Sequence, residues 1–291
     1  MTPFELHFLE HNHARLAFDI CRNQDVQPTQ ILLLINGFQR TRLDFRALRQ
    51  KLLKSAPHVV TVSFDNRYCG ETVIHQELDT ESSQIFSQDA FAVLNHCMNL
   101  LQINRVSILG ISMGGMIAQE CVHFHPSLNV DNLFLVSTTA GGPSRVWSTF
   151  IENPLEYQTR PKDLEDVQKK LSLYFGDKFK KNSPLLFELF SKGMAKSNQQ
   201  ENTDLNAHKQ FVFTAHFDST PWLDQLNVKN TFLFAGREDK IIPAENMSIL
   251  QQKIPGSKLF IYEEIGHLIL IEHPEVFVND LSFILNASET L

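Results

Sequence analysis

The run Gly110-Ile111-Ser112-Met113-Gly114-Gly115, residues 110–115, decides how the chain is interpreted. It follows an apolar stretch, Arg105–Leu109, that is predicted to be a strand. It also opens an amphipathic stretch, Met113–His123, that is predicted to be a helix. A G-x-S-x-G pattern at a turn from strand to helix is typical of a nucleophilic serine. Ser112 is therefore the predicted nucleophile.

The glycines around Ser112 have a steric explanation. The chain reverses so tightly between strand and helix that the serine must take a strained backbone conformation. Gly110 and Gly114 must then be small, because a Cβ atom at either position would clash. Gly115 lets the helix lie close to the sheet, and the helix N-terminus favours developing negative charge. The structural alternative is a glycine-rich turn at a strand end that carries no chemistry.

Short apolar runs alternate with longer helical patterns, which predicts an α/β fold with a mostly parallel, doubly wound sheet of eight strands. Strands that are apolar on both faces indicate a sheet covered by helices on both sides. The first two strands alternate apolar and polar residues and are expected at an antiparallel edge. The predicted strands are Phe4–Leu9, Arg15–Cys21, Gln30–Ile35, Val59–Phe64, Arg105–Leu109, Asn132–Ser137, Thr231–Ala235 and Lys258–Tyr262. The predicted helices are Asp44–Lys54, Gln84–Gln102, Met113–His123, Ala244–Lys253 and Pro274–Leu285.

The alternation breaks after Ser137, where Gly141-Gly142-Pro143 opens a long stretch with helical periodicity and no convincing strand. We therefore expect residues 1–140 and 219–291 to form the core, and residues 141–218 to form a helical cap, or lid. A cap between two parallel strands would lie over the carboxyl edge of the sheet, where open α/β folds bind their ligands.

A serine hydroxyl needs a general base, and His267 is the predicted one among 12 histidines. It lies after the strand Lys258–Tyr262 and before Pro274, a favourable first residue for the last helix. This order puts it at the carboxyl edge, at the same end as Ser112. His273 directly precedes that helix and is expected to cap or pack there. The structural alternative for His267 is a loop histidine bonded to backbone.

The base needs a carboxylate that orients it, and Asp239 is the best candidate. It follows the buried strand Thr231–Ala235, with Glu238 as a weaker neighbour. The loop after the preceding strand, residues 137–141, contains no acid, which favours Asp239. A turn aspartate ahead of Pro243 is the structural alternative, because aspartate is common in turns.

An oxyanion hole requires two backbone donors. One is expected from the N–H of Met113, directly after the nucleophile, and the other from the N–H of Phe38. Gly37 can take the unusual backbone angles that aim the Phe38 amide. Asn-Gly is also a strong hairpin signal. Here, however, the predicted helix Asp44–Lys54 follows, and not a pairing strand.

The bulk composition excludes several other classes of protein. The 291 residues are 43% hydrophobic with a net charge of -7, which opposes nucleic-acid binding. The longest aliphatic run, Ile31–Ile35, is too short to span a membrane, and the first residues do not resemble a secretion signal. Four scattered cysteines without a C-x-x-C pair favour reduced thiols and a cytoplasmic location. No motif for a metal or another cofactor is present, so none is expected.

With these residues in place, the chain resembles the α/β-hydrolase family, in the capped branch that includes small esterases, methylesterases and enol-lactonases. The resemblance rests on the order Ser112, Asp239, His267, on the run at 110–115, and on the segments at 65–70 and 236–239. It covers the chain outside the cap. The chain departs from the family at Asn36, where histidine is usual, and at Tyr68, where glycine is usual. Asp65 and Arg67 are expected to be structural partners that fix their loop and not to take part in chemistry.

The resemblance implies a carboxylesterase-like serine hydrolase that forms an acyl-enzyme on Ser112 and releases it with water. The expected substrate is a small to medium, largely apolar ester or lactone, because the cap is rich in aromatic residues that could line a pocket. Three alternatives stay open: an acyltransferase of the same fold, a hydrolase of carbon–carbon bonds, and a ligand-binding protein with a vestigial triad. The aromatic residues are Phe150, Tyr157, Tyr174, Phe175, Phe187, Phe190, Phe211, Phe213 and Phe217.

Overall fold

A computed structural model describes residues 4–76, 84–150, 160–200 and 203–287 of the chain. Strands and helices alternate along this part of the sequence. The strands are β1 (Phe4–His11), β2 (Ala14–Cys21), β3 (Gln30–Ile35), β4 (Val59–Phe64), β5 (Val73–Ile74), β6 (Val106–Ile111), β7 (Val130–Val136), β8 (Val228–Gly236) and β9 (Lys258–Tyr262). The α-helices are α1 (Arg46–Ser55), α2 (Ile85–Leu101), α3 (Met113–Phe124), α4 (Leu164–Leu171), α5 (Asp177–Asn182), α6 (Pro184–Asn198), α7 (Thr203–His216), α8 (Glu245–Lys253), α9 (Ile269–Glu272) and α10 (Pro274–Ala287).

All of these strands belong to one sheet, in the order β1-β2-β4-β3-β6-β7-β8-β9. The strands from β4 to β9 in this order pair in parallel, whereas β1 and β2 form the antiparallel edge. The predicted α/β class and mostly parallel sheet are confirmed. The sheet has nine strands where eight were predicted, because the two-residue strand β5 also pairs with β2. Two residues are too few to show a periodic pattern.

The strand β3 shows why the sheet is covered on both faces. Leu33 and Ile35 belong to one apolar layer, together with residues of α2, α3 and α8. Leu32 and Leu34 point the other way, into a second layer with residues of α1 and α10. Successive strand side chains alternate between faces, so a continuous apolar run fits only a strand between two helical layers. The loops that follow the strands are therefore anchored to a sheet that is packed on both faces.

The buried charges near β4 are structural, and they correct one detail of the sequence interpretation. Asp65 and Arg67 do not pair with each other. Asp65 binds the Arg42 guanidinium and accepts 2.8 Å hydrogen bonds from the backbone N–H groups of Arg42 and Glu71. Arg67 instead pairs with Asp89 of α2, at 2.6 Å from Nε to Oδ2. Both residues fix the loop after β4, as expected, but each through another partner.

Tyr68, in the same loop, explains one departure from the family. Its φ of 70° lies in the left-handed region that favours glycine. Its ring is 7% exposed and packs edge-on against Phe86, with the centroids 6.4 Å apart. The tyrosine therefore takes a backbone conformation that suits glycine, while its ring is packed in the apolar core.

Residues 141–218, called the insertion below, connect β7 to β8. Its two ends lie side by side: the backbone N–H of Ser219 donates to the carbonyl of Ala140 at 2.8 Å, and that of Gly142 to Phe217 at 3.0 Å. Within the described part of the insertion, α4 and α5 both pack against α6. The insertion emerges from the carboxyl end of β7, beside the loop that follows β6.

Candidate active site

Ser112 lies at a sharp turn between β6 and α3. Its backbone angles are φ 55° and ψ -120°, a conformation that is costly for a residue with a side chain. Two hydrogen bonds hold the turn: the Ser112 N–H donates to the carbonyl of Val136 at 2.9 Å, and the Thr138 hydroxyl donates to the carbonyl of Ser112 at 2.7 Å. The strand β6 runs to Ile111, two residues beyond its predicted end, so the serine follows the strand directly.

The three glycines of the run 110–115 are required by close contacts. A Cβ atom on Gly110 would lie 2.2 Å from the carbonyl oxygen of Gly114, and one on Gly114 would lie 2.1 Å from that of Ile35. A Cβ atom on Gly115 would lie 2.7 Å from the side chain of Thr138. The backbone of the turn is therefore too closely packed for a side chain at any of these three glycine positions, which is the steric arrangement predicted from the sequence.

Asp239 and His267 are brought into direct contact from the loops after β8 and β9. The Nδ1 of His267 lies 2.7 Å from Oδ2 of Asp239, and the two residues are 3% and 6% exposed, respectively. Oδ1 of Asp239 accepts 2.8 Å hydrogen bonds from the backbone N–H groups of Ile241 and Ile242. The carboxylate is thus fixed at both oxygens. It assigns the proton of a neutral His267 to Nδ1, which leaves Nε2 free to accept a proton.

Ser112 and His267 line the same cavity, whose volume is about 150 Å³. Among the described residues, no hydrogen bond joins the serine hydroxyl to the imidazole. A contact between nucleophile and base is often long in the free form of an enzyme and shortens when substrate binds. The cavity brings together the residues predicted as nucleophile and base, and the predicted acid, Asp239, contacts the base at 2.7 Å.

The loop after β3 lies against Ser112. A Cβ atom on Gly37 would be 3.2 Å from Cβ of Ser112 and 3.7 Å from its hydroxyl. The backbone N–H groups of Phe38 and Met113, the two predicted oxyanion donors, donate to no acceptor within the described residues, and both residues line the cavity. Asn36 shapes the loop, since its side-chain NH2 donates to the carbonyl of Thr41. This side chain stands where the family usually has histidine.

The insertion contacts this site at two main-chain positions that were not predicted. The carbonyl oxygen of Tyr174 accepts a 2.8 Å hydrogen bond from the backbone N–H of His267. The side-chain oxygen of Gln210 accepts a 2.7 Å hydrogen bond from the N–H of Gln39, next to Phe38. Gln210 is fully buried and also donates to the carbonyl of Arg67 at 2.7 Å. No local sequence pattern indicates either contact, because the burial of Gln210 follows from the fold.

The aromatic residues of the insertion divide between its own core and the cavity. Tyr174 and Phe211 line the cavity. Phe175 is fully buried within the insertion, and its ring stacks on that of Phe179 with the centroids 4.5 Å apart. Tyr157 lies outside the described residues. Phe213 and Phe217 are instead buried in the apolar layer that covers one face of the sheet, and Phe150 is 59% exposed. Only part of the aromatic surface therefore faces the space above Ser112.

Arginine side chains also line the cavity, which the sequence interpretation did not anticipate. Arg40, Arg145 and Arg160 contribute to its wall. Arg40 binds Asp44 at 2.6 Å. The Arg160 guanidinium lies over the ring of Phe38, 5.2 Å from its centroid, and its buried Nε has no hydrogen-bond partner within the described residues. Burial lowers the pKa of Arg160 to about 10, so the group is a cation at neutral pH.

Neither a metal-binding cluster nor a membrane-spanning helix occurs in the described ranges. No group of three or more His, Cys, Asp or Glu residues there could hold a metal ion. Among the helices that the structure describes, each is too short or too polar to cross a bilayer.

The sequence and the fold define the family. Residues 30–274 match the family described as alpha/beta hydrolase fold, and this span is most of the chain. The chain belongs to the α/β-hydrolase family. Membership of this family supports hydrolase activity, while the type of bond that is cleaved differs among its relatives.

Two relatives illustrate that range. The poly(3-hydroxyalkanoate) depolymerase of Ectopseudomonas oleovorans is 26% identical over 184 residues, which are 61% of this chain and 60% of the depolymerase. The 2-hydroxy-6-oxononadienedioate/2-hydroxy-6-oxononatrienedioate hydrolase of Cupriavidus pinatubonensis is 27% identical over 190 residues, 64% of this chain and 63% of that enzyme. The chain thus spans less than two thirds of the length of these two curated relatives.

A solved esterase shares the fold over nearly the whole chain. The esterase EaEST of Exiguobacterium antarcticum superposes with a TM-score of 0.75 over 94% of this chain and 96% of its own length. The sequences are 17% identical, so the likeness concerns the fold alone.

Proposed function

We propose that the protein is a serine hydrolase that cleaves a carboxylic ester or lactone, with Ser112 as nucleophile, His267 as general base and Asp239 as its orienting acid. The observation that carries the proposal is the 2.7 Å contact between Asp239 and Nδ1 of His267, at the wall of the cavity that Ser112 also lines. Residues 141–218 act as a lid over this cavity, and the remaining residues form the core.

The mechanism follows from these groups. Ser112 attacks the carbonyl carbon while Nε2 of His267 takes its proton, and Asp239 stabilises the imidazolium. The N–H groups of Phe38 and Met113 bind the oxygen that becomes negative, which is the step at which fixed donors contribute most. His267 then protonates the leaving alcohol. Water, activated by the same imidazole, releases the acyl group from Ser112, and no cofactor is required.

The substrate we propose is small to medium and largely apolar, since Ile241, Ile242 and Leu270 line the cavity together with Phe211.

The unpaired thiols of all four cysteines support a reducing, cytoplasmic location. Transfer of the acyl group to an alcohol in place of water, and ligand binding with slow or absent turnover, are the rival uses of the same residues. Repeated turnover separates an enzyme from a binding protein.

The test is hydrolysis of p-nitrophenyl esters from acetyl to long acyl chains by the wild type and by Ser112→Ala. We expect steady turnover in the wild type and a loss of about 10³-fold or more in the variant. The acyl-chain length with the highest kcat/KM measures the size of the pocket. Ser107→Ala, a buried serine elsewhere on β6, is the matched control and should retain turnover. Equal turnover by the wild type and Ser112→Ala would exclude Ser112 as the nucleophile.

A second candidate is the hydrolysis of a carbon–carbon bond next to a carbonyl in an anionic substrate. Arg160, with its unpartnered Nε at the cavity beside Phe38, favours this candidate because a buried guanidinium binds a carboxylate well. The dioate named for the Cupriavidus relative is such an anion. On this candidate, Arg160 holds the carboxylate of the substrate while Ser112 and His267 act at the carbonyl.

Arg160→Gln separates the two candidates. If the natural substrate is anionic, the variant loses about tenfold or more in kcat/KM toward a 2-hydroxy-6-oxo-dienoate and little toward p-nitrophenyl butyrate. Arg145→Gln, at another part of the cavity wall, is the comparison. Turnover of esters with no detectable cleavage of the dienoate by the wild type would exclude the second candidate.

A further inference from the structure

Glu272, the last residue of α9, joins two segments that are far apart in the sequence. Its Oε1 accepts a 3.0 Å hydrogen bond from the backbone N–H of Gly266, directly before His267. Its Oε2 accepts a 2.7 Å hydrogen bond from the backbone N–H of Gly176, in the insertion. One carboxylate therefore links the loop that carries the proposed base to the segment that covers the cavity.

A second link lies beside the first. The carbonyl oxygen of Tyr174 accepts hydrogen bonds from the backbone N–H groups of His267, at 2.8 Å, and Leu268, at 3.3 Å. The three residues Tyr174, Phe175 and Gly176 thus run along the loop of His267 and are held to it by main-chain bonds and by Glu272. A main-chain carbonyl cannot be removed by substitution, but the Glu272 carboxylate can.

We propose that Glu272 is a positioning residue, which holds the loop of His267 against the insertion so that the imidazole is aimed at Ser112. The inference rests on the proposed function and extends it to a residue that touches neither substrate nor nucleophile. Glu272 acts through the amides of Gly266 and Gly176. It fixes the backbone of the base, as Asp239 fixes its side chain.

The protonation state of Glu272 sets how strongly the link holds. Burial raises the pKa of Glu272 to about 7; the charge of Asp239 adds to the rise, and the backbone donors of Gly176, Gly266 and Leu268 oppose it. An ionised carboxylate accepts from both glycines, whereas a protonated one carries a hydroxyl that donates. The link therefore weakens as pH falls below about 7. Other titratable groups on the surrounding segments include Tyr174, Asp177, Lys178, Glu238, Glu264, His267 and His273.

The experiment compares Glu272→Gln with Glu275→Gln, an exposed glutamate one turn further on that binds Lys51. Glutamine resembles the protonated acid, since it keeps one acceptor and adds a donor. At pH 8 we expect the kcat of Glu272→Gln for a p-nitrophenyl ester to be roughly tenfold below the wild type, with KM unchanged within about threefold. Near pH 5.5 the ratio should approach one, because the wild-type carboxyl is then protonated as well. Glu275→Gln should match the wild type at both pH values.

Hydrogen exchange supplies a readout that does not depend on activity. Peptides containing Gly176 and Gly266 should exchange roughly tenfold faster in Glu272→Gln at pH 8 than in the wild type. If that variant does not fold, exchange of the wild type from pH 8 to pH 6, corrected for the intrinsic rate, should accelerate in the same peptides. A kcat ratio that is constant with pH, or exchange that is unchanged in these peptides, would overturn the inference. Loss of turnover in Ser112→Ala under those conditions would leave the proposed function standing.

Discussion

The backbone N–H of His267 donates a 2.8 Å hydrogen bond to the carbonyl oxygen of Tyr174, so the proposed base is attached to the insertion through its own main chain. The two segments approach so closely at Gly266 that a Cβ atom there would lie 2.7 Å from the same carbonyl oxygen and 2.6 Å from the nitrogen of Gly176. The contact leaves no room for a side chain.

Gly266→Ala should therefore separate the insertion from the loop of His267. We expect kcat to fall by at least tenfold and the free energy of unfolding to fall by about 1–3 kcal/mol, because the methyl group meets backbone atoms that cannot turn away. Activity and urea denaturation measure the two effects. Gly193→Ala is the matched control: its Cβ would meet nothing within 4 Å, and alanine in the helix α6 should be neutral or slightly stabilising. Equal behaviour of the two variants would contradict the prediction.

Gln210→Ala should weaken the loop after β3, which carries the proposed oxyanion donor Phe38. The substitution removes the acceptor of the Gln39 N–H and leaves that donor, next to Phe38, without its protein partner. We expect kcat for a p-nitrophenyl ester to fall about tenfold while KM changes little, since the proposed oxyanion donor, the N–H of Phe38, would act mainly on the transition state. Gln251→Ala, on an exposed side chain of α8, is the comparison. A change in KM alone would assign Gln210 to substrate binding.

Asp239→Asn should remove most of the activity without unfolding the protein. The amide is nearly isosteric, and its oxygen can still accept from Ile241 and Ile242, but its NH2 group then faces Nδ1 of His267. The proton of the imidazole would move to Nε2, and His267 could no longer accept the proton of Ser112. We expect kcat to fall about 10³–10⁴-fold. Glu238→Gln should lower kcat far less. If Glu238→Gln lowers kcat more than Asp239→Asn does, the orienting acid is Glu238 and not Asp239.

The buried side chain of Glu120 leads to a prediction about the free energy of unfolding that does not involve the candidate active site. This side chain of α3 is 5% exposed, its Oε2 has no hydrogen-bond partner in the described part of the chain, and burial raises its pKa to about 8. Between pH about 4.5 and about 8 the folded protein keeps the proton while the unfolded chain loses it. Stability therefore falls as pH rises, by at most about 1.4 kcal/mol per pH unit.

The glutamine of Glu120→Gln cannot ionise, so this variant should not lose stability in this way as pH rises. We expect its midpoint of urea denaturation to exceed that of the wild type at pH 8 and to differ little from it at pH 5. Glu165→Gln, on an exposed side chain, should follow the wild type at both pH values. A stability difference between Glu120→Gln and the wild type that does not change with pH would contradict the prediction.

The elements that the sequence predicted well are those with a strong local pattern. The strands Val59–Phe64 and Lys258–Tyr262 agree with the structure at both ends. The turn at Ser112 is steric in origin, so the glycines of 110–115 were sufficient to predict its position. The fold class followed from the apolar runs, because only a sheet between two helical layers buries both faces of a strand such as Gln30–Ile35.

Contacts between distant segments could not be predicted in the same way. Glu272 is an ordinary glutamate in the sequence, and only the fold brings Gly176 and Gly266 to its two oxygens. Arg160 presents the same difficulty, since its place above the ring of Phe38 depends on how the insertion packs on the core. The pairing of Asp65 with Arg42 and not with Arg67 is likewise set by the loops. Local sequence patterns carry no information on contacts between residues that lie far apart in the chain.

The attachment of residues 141–218 limits how this chain could acquire a new substrate. A segment that supplies the Tyr174 carbonyl and the Gln210 amide is not an exchangeable module, because a transplanted replacement would alter the pocket and release two loops at once. Single substitutions at cavity positions away from these anchors, such as Met194 and Thr214, change the shape of the pocket alone. A change of specificity by single side chains on α6 and α7 would therefore leave the backbone hydrogen bonds of the insertion in place.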